Sequence, residues 1–425
     1  MESARAGEYL DVRADFEDSY RRLAPDAARL FRLLGLHPGE GDPSLGAAAA
    51  LADRPEAETG DLLGRLVAAD LVATAPGDGR FRLPGRTREY AAACAERDET
   101  WEARDAASRR VLDFYLAGAA AADVTLDPGR WRLAPAFDGA RPFTGKDGAW
   151  EWLEAERENL RAAVETAYAR GWDEYAWWLC EALWHLYSLR GYYRDWIGTH
   201  ELGVRSAVRG GDRAAEARMR TQFGYALIGR GRAGDAAREF TAARDAARDA
   251  GDRRGEAAAA EALGLVLIVR ERWAEAVEAL EDGLRLAEET GDPRLVLPAR
   301  DLLGRAVGGA GDQERAVRIL GPLPDDFLAL AEPDRHGRGR ALTSLGEAYL
   351  RMGHPDAAIN FFGQALEIMR AERASERQAD LWCHLADAAR FRRDSAAERA
   401  ALSRARPLYE ALDSPKAAGV AARLG

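Results

Sequence analysis

Four glycines recur about 40 residues apart in the second half of the chain, and each directly follows a phenylalanine or a leucine. They are Gly224, Gly264, Gly304 and Gly346. An alanine stands twelve residues after each of them, at positions 236, 276, 316 and 358. Two antiparallel helices pack closely only where small residues stand at their crossing point. The repeat therefore predicts a stack of helix pairs, in which no single pair buries its apolar face alone.

One repeat unit carries the pattern most clearly. Phe223 and Gly224 lie on its first predicted helix, Gly231 ends that helix, and Ala236 and Phe240 form an apolar row on the second. These residues resemble the tetratricopeptide consensus, whose period is roughly 34 residues. Because the spacing here is longer, its helices or turns must be extended. We expect one solenoid with a concave face from about residue 150 onward.

The N-terminal part has a different pattern. It predicts a helix or helix pair over residues 19–36, a second helix from Ser44 to Ala52, and a third from Thr59 to Ala69 with Thr59 as its N-cap. Two short apolar stretches flank residues 76–79, Pro-Gly-Asp-Gly, which predicts a β-hairpin. Three helices followed by a hairpin is the order of a winged-helix domain. The predicted fold is all-α: a tetratricopeptide-repeat superhelix preceded by a small winged-helix domain.

We predict three regions: a winged-helix-like domain over residues 1–95, a helical linker and loop over 96–148, and the repeat solenoid over 149–425. The 425 residues are 47% hydrophobic, which suffices for a sizeable core, and carry a formal net charge of −11. This charge disfavours nonspecific nucleic-acid binding. Three distant cysteines, the lack of an apolar signal sequence and the lack of any membrane-spanning run indicate a cytoplasmic protein that does not enter a membrane.

Residues 149–160 resemble the helix that opens the tetratricopeptide sensor of actinobacterial NB-ARC-type STAND regulators, and the resemblance continues through the repeats. Residues 12–39 and 62–72 resemble the winged-helix region of these regulators. In that family the region links a nucleotide-binding switch to a tetratricopeptide sensor. Two departures qualify the resemblance. The chain has no Gly-Lys-Ser/Thr phosphate loop, and Leu83-Pro84-Gly85 stands where the family has a His-Asp pair that touches the nucleotide. We therefore expect no bound nucleotide and no cofactor.

No catalytic or metal-binding pattern emerges from the six histidines and three cysteines. Cys383 and His384 are neighbours on a predicted helix, so their side chains diverge by about 100°. Ten aromatic residues lie close together in the sequence: Trp150, Trp152, Trp172, Trp177, Trp178, Trp184, Tyr187, Tyr192, Tyr193 and Trp196. The favoured interpretation is a packed junction ahead of the first regular repeats. The alternative is a ligand or peptide pocket.

The consensus register predicts which side chains face the concave groove. These candidate ligand- or partner-binding residues are Trp178, Glu181, His185, Arg218, Thr221, Tyr225, Glu261, Asp301, Arg305, Arg340, Thr343 and Glu347. Their charges are mixed. The groove lacks the basic and asparagine residues with which chaperone-binding relatives hold a C-terminal carboxylate. For each residue, a solvated helix face is the alternative interpretation.

Three classes of function remain. The leading one is a non-enzymatic binding or scaffold protein, an orphan sensor or adaptor that recognises a peptide, a protein or a small effector in the groove. The second is a DNA-binding regulator, which the acidic Asp61 and Asp70 on the third helix disfavour. The third is an enzyme recruited from this scaffold, with a pocket in the aromatic cluster of residues 172–200 near Glu181, His185 or His200. No motif names a reaction.

Overall fold

The computed structural model describes residues 16–76 and 79–425. Within these residues the protein is helical apart from one small two-stranded sheet near the N-terminus. The repeats pack as successive helix pairs. The predicted fold class, an all-α protein with tetratricopeptide-like packing, is confirmed.

Three short helices open the described structure after a helical stretch at residues 16–21. They are α1 (Pro25–Leu34), α2 (Leu45–Ala52) and α3 (Glu56–Ala68). The Ser44 hydroxyl accepts a hydrogen bond from the Ala47 amide and so caps α2. The predicted cap of α3 is wrong, because this helix begins at Glu56 and Thr59 lies inside it. The buried Thr59 hydroxyl donates to the Pro55 carbonyl instead.

A two-stranded antiparallel hairpin follows the three helices. Strand β1 (Ala73–Thr74) pairs with β2 (Phe81–Arg82), and Ala73 lies opposite Arg82. Residues 77 and 78 of the predicted turn lie outside the described residues. The order of elements matches the one we derived, while the assignment to the winged-helix class stays a prediction.

Two helices connect this region to the repeats: α4 (Gly85–Asp98) and α5 (Trp101–Leu126). A loop that includes the 3₁₀ turn Pro135–Phe137 then leads to α6 (Lys146–Ala169). Residue 95 thus lies within α4 and residue 149 within α6. The division into three regions stays a prediction.

The repeats consist of inner helices, which are the first helix of each pair, and outer helices, which are the second. The inner helices are α7 (Asp173–Ala182), α10 (Arg213–Gly229), α12 (Arg253–Val269), α14 (Pro293–Gly309), α17 (Arg335–Arg351) and α19 (Ser375–Phe391). The outer helices are α9 (Tyr193–Gly210), α11 (Ala233–Ala250), α13 (Trp273–Glu289), α15 (Gln313–Leu320), α18 (Pro355–Ala371) and α20 (Ser395–Ala411). Three further helices complete the chain: α8 (Trp184–Arg190), α16 (Leu323–Leu328) and α21 (Lys416–Leu424). Neighbouring inner helices pack against one another more extensively than neighbouring outer helices do, so the inner helices form the concave side.

The repeated glycines lie where an outer helix crosses its inner helix. A Cβ atom on Gly224 would fall 2.3 Å from Cε1 of Phe240, and one on Gly346 would fall 2.4 Å from Cε1 of Phe362. Inner helices from α10 onward are 17 residues long, which explains the period longer than that of the consensus.

The last repeats return to contact the first. The Tyr193 hydroxyl on α9 donates to the Glu376 carboxylate on α19, and Lys146 of α6 lies 3.0 Å from Glu372. Leu412, after α20, packs against the backbone at Gly191. Because these closure contacts hold the last repeats against the first, the concave surface is partly enclosed. Polar side chains on the inner helices are therefore less exposed to solvent.

Candidate functional site

The twelve predicted binding residues all lie on helices of the concave side. Trp178 and Glu181 are on α7, and His185 is on the short α8 that follows it. The others are spread over four inner helices: Arg218, Thr221 and Tyr225 on α10, Glu261 on α12, Asp301 and Arg305 on α14, and Arg340, Thr343 and Glu347 on α17. Each of the twelve side chains is buried or half-buried.

An extended stretch of the chain itself runs along part of this surface. We call residues 127–134 the linker segment. The Glu181 carboxylate accepts hydrogen bonds from the backbone amides of Leu133 (3.1 Å) and Ala134 (2.9 Å). Arg218 donates to the Trp131 carbonyl at 2.6 Å, and its guanidinium carbon lies 4.1 Å from the centroid of the indole. Two predicted groove residues therefore bind a polypeptide backbone in the folded chain.

The same segment also contacts the next two inner helices. The guanidinium of Arg254 on α12 lies 5.9 Å from the Trp131 ring. Arg294 on α14 donates to the Asp127 carboxylate at 3.0 Å. A Cβ atom on Gly129 would fall 2.1 Å from Nη2 of Arg294, so the backbone at Gly129 lies directly against that guanidinium. Residues 127–134 thus cross the inner helices of four successive repeats.

A buried aspartate holds the beginning and middle of the linker segment. Asp123 is fully buried at the end of α5, and its carboxylate accepts from Arg130 at 2.8 Å and from Arg132 at 2.6 Å. Its other oxygen lies 2.7 Å from Nδ1 of His185. Burial alone would raise the pKa of Asp123, but the charges of Arg130 and His185 hold it well below its ordinary value. His185 therefore helps to anchor the segment.

A second group of polar side chains lies deeper in the concave surface. We call Tyr225, Glu261, Asp301 and Arg340 the polar cluster. Asp301 is only 2% exposed. Among the described residues, its Oδ1 and the Nε of Arg340 are buried without a hydrogen-bond partner. Burial raises the pKa of Glu261 to about 7; the charge of Arg340 opposes this rise and that of Asp301 adds to it.

Most of the remaining predicted residues have partners within the fold, whereas the indole nitrogen of Trp178 is buried without a hydrogen-bond partner. The hydroxyls of Thr221 and Thr343 donate to carbonyls four residues earlier on their own helices. Glu347 lies 4.0 Å from Arg305 and 3.3 Å from Nε2 of His384. Because His384 points to Glu347, its ring is engaged away from Cys383, in agreement with the divergence expected for this pair.

The aromatic cluster is packed around Trp196. Its ring centroid lies 5.6 Å from that of Trp184, 5.9 Å from that of Tyr193 and 6.4 Å from that of Tyr187. Trp196, Tyr193 and Tyr187 are each buried. His200, offered with this cluster as an enzymatic candidate, is buried between Thr199 and Gln222, and burial lowers its pKa to about 4. The contacts favour the interpretation of this cluster as a packed junction.

Comparison with known proteins supports the description of the repeats. The model of the tetratricopeptide repeat family matches residues 327–371. The chain contains tetratricopeptide repeats. The regulatory protein AfsR of Streptomyces griseus is 36% identical over 252 residues, which are 58% of this chain and 26% of that protein. AfsR of Streptomyces coelicolor is 43% identical over 175 residues, 39% of this chain and 17% of that protein.

These relatives are much longer than the aligned regions. The tetratricopeptide-repeat chain spans only about a quarter of the AfsR of Streptomyces griseus, so the match is a distant homology to a STAND-type regulator over part of the chain. Among solved structures, a STAND protein with a tetratricopeptide repeat sensor from Pyrococcus horikoshii has a TM-score of 0.43 and 13% identity. That alignment covers 95% of this chain and 60% of the other.

The exposed surface of α3 carries more acidic than basic side chains. The exposed side chains of α3 include Glu56, Glu58 and Asp61, and Arg65 lies 3.6 Å from Asp26. Within residues 16–76 and 79–425, no group of three or more His, Cys, Asp or Glu side chains is placed to hold a metal ion. No helix in the same ranges combines the length and apolar character needed to cross a membrane.

Proposed function

We propose that this chain is a non-enzymatic binding module, the sensor or adaptor part of a bacterial signal-transduction regulator, and that its concave surface recognises a peptide or a segment of a protein. The partial homology to AfsR regulators supports the regulatory context. The acidic surface of α3 argues against the alternative in which that helix binds DNA.

The observation that carries this proposal is the polar cluster. Leaving a buried donor or acceptor without a partner costs about 1–3 kcal/mol of folding stability. Asp301 and Arg340 each carry such an atom on neighbouring inner helices of the concave side. A peptide offers amide donors and carbonyl acceptors in close succession, so it would supply partners for both signs of charge.

Selection from a random peptide display library against the full chain would test this proposal. Selected peptides should bind the wild type and lose about 30-fold in affinity to the variant Asp301→Asn/Arg340→Met, the loss of a ~2 kcal/mol hot spot. The variant should melt at or above the wild-type temperature, because Arg340→Met removes an unpaired buried donor and Asp301→Asn removes a buried charge.

A matched control changes the same residue types on the convex side. Asp282 and Arg285 form an exposed ion pair on α13. The variant Asp282→Asn/Arg285→Met should bind the selected peptides like the wild type. Failure to select any peptide, or equal binding to both variants, would contradict the proposal.

A further inference from the structure

The linker segment is bound in the manner of a peptide ligand. Four successive inner helices contact it, and the hydrogen bonds of Glu181 and Arg218 go to its backbone amides and carbonyl. Such bonds do not depend on whether the backbone belongs to the same chain. Its most specific side-chain contact is the indole of Trp131 against two arginines.

We propose that residues 127–134 occupy, within the chain, a site for an extended peptide that carries an aromatic residue between two basic ones, and that such a peptide displaces them. This inference rests on the proposed function and names both the ligand class and the regulation of the groove. Arg218 and Arg254 would select an aromatic side chain in the peptide. The buried Asp123 would select a basic side chain next to it.

The linker segment is suited to displacement. Most of its residues are half-buried, with Pro128 exposed and Ala134 buried, so the segment lies over the groove with one side open to solvent. It contains no helix or strand of its own. Because the segment is tethered beside its site, its effective concentration is on the order of millimolar, and an external peptide must compete with it. Weakening the tethered copy should therefore strengthen external binding.

The test uses the full chain and a fluorescent synthetic peptide with the sequence of residues 126–138. Fluorescence anisotropy measures its affinity, and a scrambled peptide of the same composition measures nonspecific binding. Trp131→Ala removes the indole of the tethered copy and leaves the site intact. This variant should bind the peptide about tenfold tighter than the wild type, the scale of losing one or two contacts between a cation and an aromatic ring.

Three further variants separate the site from general effects. Adding Glu181→Gln and Arg218→Ala to Trp131→Ala should abolish the gain, because both groups hold the peptide backbone. Trp101→Ala, at a tryptophan that is 65% exposed on α5, should bind like the wild type. Trp131→Phe keeps an aromatic ring and should show less of the gain than Trp131→Ala.

A measurement on the wild type covers the case in which Trp131→Ala does not fold. Saturating peptide should speed hydrogen exchange at the amides of Leu133 and Ala134, since displacement breaks their bonds to Glu181. Unchanged exchange there, or peptide binding by Trp131→Ala no tighter than by the wild type or than the scrambled sequence, would overturn the inference. Library peptides that depend on Asp301 and Arg340 would then still support the proposed function. If that selection fails while the synthetic peptide binds as expected, the linker site is supported and the role of the polar cluster is refuted.

Discussion

At the scale of single residues, Glu261 is the acidic group of the concave surface that titrates near neutral pH. Burial raises its pKa from an ordinary 4.5 to about 7 in the folded protein. The folded state therefore binds this proton more tightly than the unfolded state. Its contribution to stability is fully present below about pH 4.5 and is lost as the pH rises through about 7.

The variant Glu261→Gln removes this titration and keeps the size of the side chain. We expect it to melt like the wild type near pH 4.5 and at a higher temperature than the wild type at pH 8, because only the wild type then carries a desolvated charge. Thermal unfolding at a series of pH values measures the difference. If the melting temperatures of the two proteins differ by the same amount at every pH in this range, Glu261 is solvated in the folded chain.

Only part of the candidate site could be predicted from the sequence. The repeat register identified Glu181 and Arg218 as concave-side residues, because side-chain direction follows helical periodicity. Their partner could not be identified in the same way. Leu133 lies 48 residues before Glu181, in a segment without periodicity, and only the folded chain brings the two together. The unpaired atoms of Asp301 and Arg340 could not be predicted either, because the burial of these side chains depends on repeats that are distant in the sequence.

At the scale of elements, the glycines at the helix crossings set the distance between inner and outer helices. A Cβ atom on Gly264 would fall 2.3 Å from Cδ2 of Leu280, and one on Gly304 would fall 2.5 Å from Cγ of Leu320. Gly264→Leu and Gly304→Leu should each destabilise the protein by ~1–3 kcal/mol through overpacking. Denaturant unfolding measures the loss.

A helical glycine with free space provides the control for these variants. Gly363 on α18 has no atom within 4 Å of the place where a Cβ would be. Gly363→Leu should be neutral or stabilising, because leucine favours a helix over glycine by roughly 0.5–1 kcal/mol. Equal effects at Gly264 and Gly363 would mean that the crossing is loosely packed.

Element types followed from the sequence more reliably than element boundaries. The glycine and alanine spacing gave the helix pairs because packing at a crossing demands small residues. The start of α3 was misplaced because threonine is a favoured N-cap residue type. Thr59 instead lies inside the helix, where its hydroxyl donates to the carbonyl of Pro55. Pro55, which precedes the first helical residue, is the signal that was overlooked.

At the scale of the whole molecule, the closure contacts between the last and first repeats decide how deeply the concave surface is buried. Tyr193 and Glu376 are 183 residues apart in the sequence. No local pattern predicts such a contact, because it depends on the small rotation added by every repeat. The sequence predicted a solenoid with a concave face and gave no indication of its closure.

Glu376 of α19 connects this helix to α9 and to α21. Its carboxylate accepts a hydrogen bond from Tyr193 of α9 and lies 3.1 Å from Lys416 of α21. Glu376→Ala would leave the hydroxyl of Tyr193, which is 5% exposed, without this acceptor, at a cost of about 1–3 kcal/mol. Repeats in a solenoid otherwise contact only their neighbours, so this loss should act on the C-terminal end. We expect faster hydrogen exchange in α19, α20 and α21, with the helices α1–α3 unchanged.

A glutamate outside the closure supplies the comparison. Glu410 pairs with Arg406 on the same helix, α20, and both side chains are about half exposed. Glu410→Ala should leave exchange in α19–α21 unchanged, because an exposed pair of this kind contributes about 0–1 kcal/mol. If the two variants exchange alike, the closure does not stabilise the last repeats. If only Glu376→Ala loosens them, the polar cluster should also gain solvent access, and the rise in the pKa of Glu261 should shrink with it.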